Sequence, residues 1–275
     1  MKTILAPTDF STTSKNAVMY AAHIASVYNA TLILFNVYQL PVVVAEAPMV
    51  LPPIDELEAD CKHELNQLKK HLLDTVDQNL SIEYYCTSGF TSNEIIEMAK
   101  KSNADLIVTG IKGTGAISEA IIGSTTTTLI NESKIPVLSV DNHAKYKKIE
   151  KILLACDYDE IKDKNILTPL KDLAKTTGAS VHILNVEAEL VSEENITKNV
   201  EGLKLDHRLE DVVHYFHNIK NNDINEGIQD FVKKYAIDLV VMIPRSHNLF
   251  ERLFKESHTK QMAFHTHTPL LTIHE

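Results

Sequence analysis

The chain repeats itself, and this limits its folding more than any single motif does. Residues 4–9 (ILAPTD) return as residues 152–157 (ILLACD), displaced by 148 positions. Ala30, Asn36 and Val37 return as Ala179, Asn185 and Val186 at a displacement of 149. Residues 105–108 (DLIV) return as 238–241 (DLVV), and Pro136 as Pro269, both at 133. Each copy is long enough for a domain of ordinary size, and 44% apolar residues can fill two cores. The fall in displacement shortens the second copy in its middle, around its second helix.

Within the first copy, apolar runs of strand length alternate with helical periods. Residues 3–6 form a short strand pattern closed by Pro7, Thr8 and Asp9. Ser11 to Ser14 provides capping chemistry for a helix to about Tyr28, with Ala17, Ala21, Ile24 and Ala25 on one face. Leu32, Ile33, Leu34 and Phe35 run without a polar break inside a strand at 31–37, as in a parallel sheet covered on both faces. Four prolines mark 38–53 as a loop. The spacing then predicts a helix over 54–78, a strand over 82–87, a helix over 91–101, a strand over 106–109, a helix to about 132 and a strand over 136–140. This alternation predicts α/β architecture: two repeated doubly wound domains, 1–143 and 149–275, each with a five-stranded parallel sheet. Ligands of such sheets sit beyond the carboxyl ends of the strands, at the point where strand order reverses.

The fourth strand leads directly into Gly110, Gly113, Gly123 and Ser124, in the pattern G-x-x-G-x9-G-S. Glycines let a backbone turn with positive φ and approach a ligand closely. The first N–H groups of the following helix have no partner within it, and with the macrodipole they favour an anion. Ser124 and the threonines at 125–128 bring hydroxyls to the same place, and Lys112 inside the loop can reach a phosphate as a point charge. Loop closure without a ligand is the competing reading of the glycines.

This pattern resembles the nucleotide-binding signature of the universal stress protein family, whose ATP-binding members carry G-x-x-G-x9-G-[ST] between their fourth strand and fourth helix. ILAPTDFS at 4–11 and IPVLSV at 135–140 are similar to that family's first and fifth strands. The resemblance implies a Rossmann-like, adenine nucleotide alpha hydrolase-like fold, in tandem, and a nucleotide site for ATP (or AMP/ADP) in the first copy. There Pro7, Thr8 and Asp9 would lie against the nucleoside, and Val37 would border the adenine. Gly110 and Gly113 would pass the ribose and phosphates, while Gly123, Ser124 and Thr125 would hold the phosphates. Mg²⁺ would ride between phosphate oxygens. Asp9 also stands where a carboxylate caps a turn beside Ser11, and its recurrence as Asp157 favours that structural share. Family dimers imply pairing through the edges of the last strands, 136–140 and 269–273.

In the second copy, the displacement of 133 places Ile243, Ser246 and Glu256 opposite the three glycines, and only Ser257 still matches, opposite Ser124. A carboxylate about 4 Å from a phosphate oxygen costs on the order of 1–4 kcal/mol. Nucleotide binding is therefore expected in the first copy alone.

The net charge of −10, with both halves acidic, argues against a general nucleic-acid binder. No apolar run approaches the roughly 20 residues that cross a bilayer, and the start of the chain lacks a leader of the secretory kind. Cys61, Cys86 and Cys156 form no C-x-x-C pair, and their odd number points to a reducing compartment, so a cytoplasmic location is expected. Cys61 with His63 reads as a pair on a helix surface, and His258, His265, His267 and His274 read as scattered surface residues with no metal cage. No nucleophile elbow, no G-x-x-x-x-G-K-[ST] loop and no carboxylate pair tied to the motif marks an enzyme beyond slow ATP hydrolysis. Two functions remain: a stress-response protein whose nucleotide occupancy is sensed by a protein partner not identified by the sequence, and a nucleotide-free interaction module with a vestigial motif.

Overall fold

A computed structural model describes residues 1–40, 53–111, 123–156, 165–187, 204–243 and 267–274. These residues divide into two compact units, built mainly from the two halves of the sequence. In the first half the strands are β1 (Thr3–Pro7), β2 (Thr31–Tyr38), β3 (Ile82–Ser88), β4 (Leu106–Gly110) and β5 (Val137–Val140), in the order β3-β2-β1-β4-β5. The helices are α1 (Thr12–Tyr28), α2 (Ile54–Thr75), α3 (Thr91–Lys101) and α4 (Ser124–Glu132). β1 pairs in parallel with β2 and β4, and β2 with β3. Ile4, Leu5, Leu32, Leu34, Ile107 and Val108 are buried on alternating faces, which explains why these strands are continuous apolar runs.

The second half repeats the arrangement with β6 (Lys151–Ala155), β7 (Ser180–Glu187), β8 (His214–Lys220), β9 (Leu239–Met242) and β10 (Leu270–Thr272), in the order β8-β7-β6-β9-β10 and parallel throughout. Its helices are α5 (Thr168–Thr177) and α6 (Ile224–Tyr235), with a further helical turn at 204–208. Strand register carries the sequence repeat. Ile4 lies opposite Leu32 and Leu106, and Ile152 lies opposite Val181 and Leu239, which reproduces the displacements of 148, 149 and 133 residue for residue.

The same device fixes the first strand of each copy. Asp105 Oδ2 accepts from the backbone N–H of Lys2 (2.5 Å) and Thr3 (3.0 Å), while Asp238 Oδ2 accepts from Glu150 and Lys151, both at 2.9 Å. The recurring aspartate is thus a sheet fastener. α2 ends at Thr75, three residues before the expected stop, because Asp77 leaves the helix to accept from Asn79 N (2.9 Å) and Ser26 Oγ (2.7 Å). Among the described residues no helix is long and apolar enough to cross a membrane.

Candidate functional site

Strand order in the first half reverses between β1 and β4, so their carboxyl ends bound the crevice where this architecture takes ligands. The turn after β1 is held rigidly. Thr8 is buried; its N–H donates to Phe35 O (2.8 Å), its hydroxyl shares a hydrogen bond with Ser14 Oγ (3.0 Å) and accepts from Phe10 N (3.0 Å), and its carbonyl accepts from Asn36 Nδ2 (2.7 Å). Asp9 is exposed and its Oδ1 accepts from Ser11 N at 3.1 Å, the turn-capping role. Ser11 in turn caps α1 through Ser14 N. Among the described residues of the site the left-handed one is Phe10, at φ 63° beside Asp9.

The positive-φ expectation for the motif glycines does not hold at the described positions. Gly123 has φ −62° and ψ 147°, open to any residue, and Gly110 is outside the left-handed region as well. Gly110 is required by space: a Cβ there would lie 2.9 Å from Thr13 Cγ2 and 3.1 Å from Thr13 O, so α1 crosses the end of β4 where no side chain fits. The two ends of the motif are tied together, since Gly123 N donates to Ile111 O (2.8 Å) and Thr126 Oγ1 to Gly110 O (2.7 Å).

Gly123 is the N-cap of α4 and brings no side-chain cap, leaving the N–H groups of Ser124, Thr125 and Thr126 without an acceptor inside the helix. Ser124 is exposed and Thr125 half-buried. Of the threonine run, Thr126 and Thr127 are committed to backbone carbonyls, Thr127 Oγ1 to Gly123 O at 3.1 Å. The fold thus gathers Pro7, Thr8, Asp9, Gly110, Gly123, Ser124 and Thr125 around the ends of β1 and β4. Val37 stands one strand away, half-buried at the end of β2. Lys112 and Gly113 lie outside the described residues, as do the 41–52 part of the proline loop, Asp157, Ser246, Glu256, Ser257, His258 and His265.

Sequence reasoning placed Thr126 among the hydroxyls at the start of α4 and Ser14 in the cap of α1, but missed Thr13 and Asn36, which frame the site with them. Asn36 carried a signal, since it recurs as Asn185 and interrupts an apolar strand; both are buried. Cys61 needs correction: it is buried and faces the sheet, with its Sγ donating to Asn36 Oδ1 at 3.1 Å, while His63 is exposed and bonded to Gln67. In the second copy Cys156 N donates to Leu184 O at 3.1 Å, the counterpart of Thr8 N to Phe35 O, so the turn starts alike but carries a thiol for the hydroxyl. Ile243, nearly buried, follows β9 where Gly110 closes β4. Among the described residues no group of three or more His, Cys, Asp or Glu could hold a metal. His267 packs edge-on against His143, with ring centroids 5.1 Å apart.

Residues 1–141 and 148–274 each match the universal stress protein family. The chain is 32% identical over 149 residues to a universal stress protein of Methanocaldococcus jannaschii, covering 52% of this chain and 84% of that one. It is 29% identical over 160 residues to a universal stress protein of Mycolicibacterium smegmatis, a match that covers 56% of this chain and only about half, 53%, of that protein's length. Among solved structures, a universal stress protein from Archaeoglobus fulgidus has the same fold, with a TM-score of 0.74 at 17% identity over 99% of this chain and 98% of that one. With two consecutive matches and two copies of one strand order, the chain belongs to the universal stress protein family and carries its domain in tandem.

Proposed function

We propose that the first domain, residues 1–143, binds an adenine nucleotide at the carboxyl ends of β1 and β4, and that the second domain, residues 149–275, does not. The observation that carries this reading is the start of α4: an N-cap with no side chain of its own, tied to the end of β4 by Thr126 and Gly123, presents three N–H groups with no intrahelical acceptor. Phosphates would lie on these groups and on Ser124 and Thr125, with Gly113 and Lys112 contributing from the loop. The nucleoside would rest against Pro7, Thr8 and Asp9, and the adenine near Val37. Mg²⁺ would arrive with ATP, held by phosphate oxygens. In this reading the protein acts in the cytoplasm in stress response: occupancy changes a surface that a partner protein reads, hydrolysis is slow or absent, and dimers form through last-strand edges.

One observation favours the nucleotide-free interaction module. Gly110 is already required by its approach to Thr13, so this glycine does not need a ligand to explain it. Isothermal titration of the full chain with ATP and Mg²⁺ separates the two readings. Nucleotide binding predicts one site per chain, lost in a Gly123→Val protein that keeps a cooperative ligand-free melting transition lowered by no more than its poorer N-cap accounts for. No heat of binding supports the interaction module instead, and equal binding by a folded Gly123→Val protein shows that the phosphates do not sit at the start of α4.

A further inference from the structure

β2 and β3 run parallel with Asn36 directly opposite Cys86, so both side chains leave the same face of the sheet. α2 covers that face. Cys61 reaches down to Asn36, and Cys86, half-buried, points its Sγ at Glu58 O (3.9 Å), one helical turn before Cys61. Both thiols are free, and since Cys61 bonds to Asn36, the residue opposite Cys86, while Cys86 points at the α2 turn that carries Cys61, the two sulfurs meet under α2 although 25 positions separate them in sequence. Packing alone explains a single buried cysteine. It does not call for a second sulfur placed against the first, open to solvent on one side and attached to a strand that cannot slip.

We propose that Cys61 and Cys86 are an oxidation site, a dithiol that a small hydroperoxide converts to an intrachain disulfide. Burial, then the Cys86 hydrogen bond, pushes the Cys61 thiol up to about 12, so Cys61 stays protonated and Cys86 reacts first. The Cys86 thiolate attacks the terminal peroxide oxygen; the S–O bond forms, the O–O bond breaks, and the departing hydroxide or alkoxide takes the proton Cys86 gave up and leaves as water or alcohol. The Cys61 proton passes to the sulfenic hydroxyl as the Cys61 sulfur, now a thiolate, attacks the Cys86 sulfenic sulfur; the S–S bond forms, the S–O bond breaks, and the hydroxyl leaves with that proton as water. Two electrons pass from the two thiols to one peroxide. The Cys61 proton is the one now donated to Asn36, so oxidation also frees the Oδ1 of the side chain that holds the Thr8 carbonyl.

The test treats the full chain with hydrogen peroxide, alkylates remaining thiols under denaturing conditions and maps peptides by mass spectrometry without reductant. The expected result is a peptide pair joined through Cys61 and Cys86, two hydrogens lighter than the sum, restored by dithiothreitol, with alkylation falling from three thiols to one. Cys156→Ser gives the same link, and Cys61→Ser stops at a Cys86 sulfenic acid trapped by dimedone. The proposal is overturned if Cys61 and Cys86 both stay alkylated, whether or not Cys156 oxidises. It is equally overturned if either is joined to Cys156, or if Cys86 advances to sulfinic acid with Cys61 unreacted. The wild-type chain decides each of these outcomes, so a variant that fails to fold leaves the decision intact.

Discussion

Adding a methyl group at Gly110 tests whether this motif position is set by packing. In Gly110→Ala the new Cβ lies 2.9 Å from Thr13 Cγ2, 3.1 Å from Thr13 O and 3.2 Å from Thr13 C. The methyl of Thr13 can rotate away; its carbonyl is in the first turn of α1 and cannot. Overpacking of this kind costs about 1–3 kcal/mol. The backbone there is not left-handed, so no φ strain adds to the cost, and replacing glycine recovers roughly 0.5 kcal/mol from the unfolded chain. The net loss is about 0.5–2.5 kcal/mol, and at roughly 3–5 °C per kcal/mol for a domain of this size the calorimetric Tm falls by about 2–12 °C without any nucleotide. Thr13→Ser in the same background removes Cγ2 and leaves the carbonyl, so it restores only part of the loss. Gly123→Ala, at φ −62° and ψ 147°, costs at most about 1 kcal/mol as a poorer N-cap. An unchanged Tm for Gly110→Ala, or full recovery with Thr13→Ser, refutes the backbone-contact argument.

Asn36→Ala strips the Thr8 carbonyl and the Cys61 thiol of their buried partner together, and chemical denaturation should show a loss of about 1–3 kcal/mol. In the second half His182 and His217 share a 3.0 Å hydrogen bond, and burial lowers the pKa of both, with His217 and Lys151 adding to the effect at His182. Their folded pKa values lie below the unfolded 6.5, so the unfolded chain binds more protons and stability falls as pH drops below about 6.5. His217→Gln should flatten that dependence in melts between pH 7.5 and 5. Two lysines, Lys171 (2.8 Å) and Lys175, pair with Asp211, and their hydrogen bonds hold its carboxyl at about 2. Its contribution is therefore present above the ordinary carboxylate value near 3.8 and lost as pH falls toward 2. Carboxyl NMR should place the Asp211 titration near 2 in the wild type and move it upward in Lys171→Met.

Strands buried on both faces can be read directly from sequence, because each holds a run such as 32–35 with no polar break. Ile4, Leu32, Leu106 and their counterparts Ile152, Val181 and Leu239 were enough to align the copies, and strand register keeps that alignment. The surface reading of Cys61 failed for a different reason. Asp60, Lys62 and His63 surround it in sequence, yet Cys61, Leu65, Leu68 and Leu72 recur at helical spacing and all are buried. The apolar stripe held the signal, and the polar neighbours concealed it. No such stripe announces the meeting of Cys61 with Cys86, which depends on how α2 lies across β2 and β3.

The site was legible as a set of positions and not as a set of reasons. The spacing of Gly110, Gly123 and Ser124 locates the end of β4 and the start of α4, but a glycine looks the same in sequence whether φ, a ligand or a neighbouring helix requires it. Comparing the copies separates these causes. Both keep the N–H of the residue after the first strand bonded to the second strand, Thr8 to Phe35 and Cys156 to Leu184, and both keep a buried asparagine, Asn36 or Asn185. Those features belong to the frame whether or not a ligand is bound. At the next strand the copies part: at Gly110 the first turn of α1 comes so near that an added Cβ would lie 3.1 Å from Thr13 O, while Ile243 brings a branched side chain to the corresponding position. The ends of β4 and β9 therefore differ in the side chain they carry. The expectation of one nucleotide site per chain rests on the glycines the second copy lacks and on Glu256 opposite Gly123, and two equivalent sites in a titration would refute it.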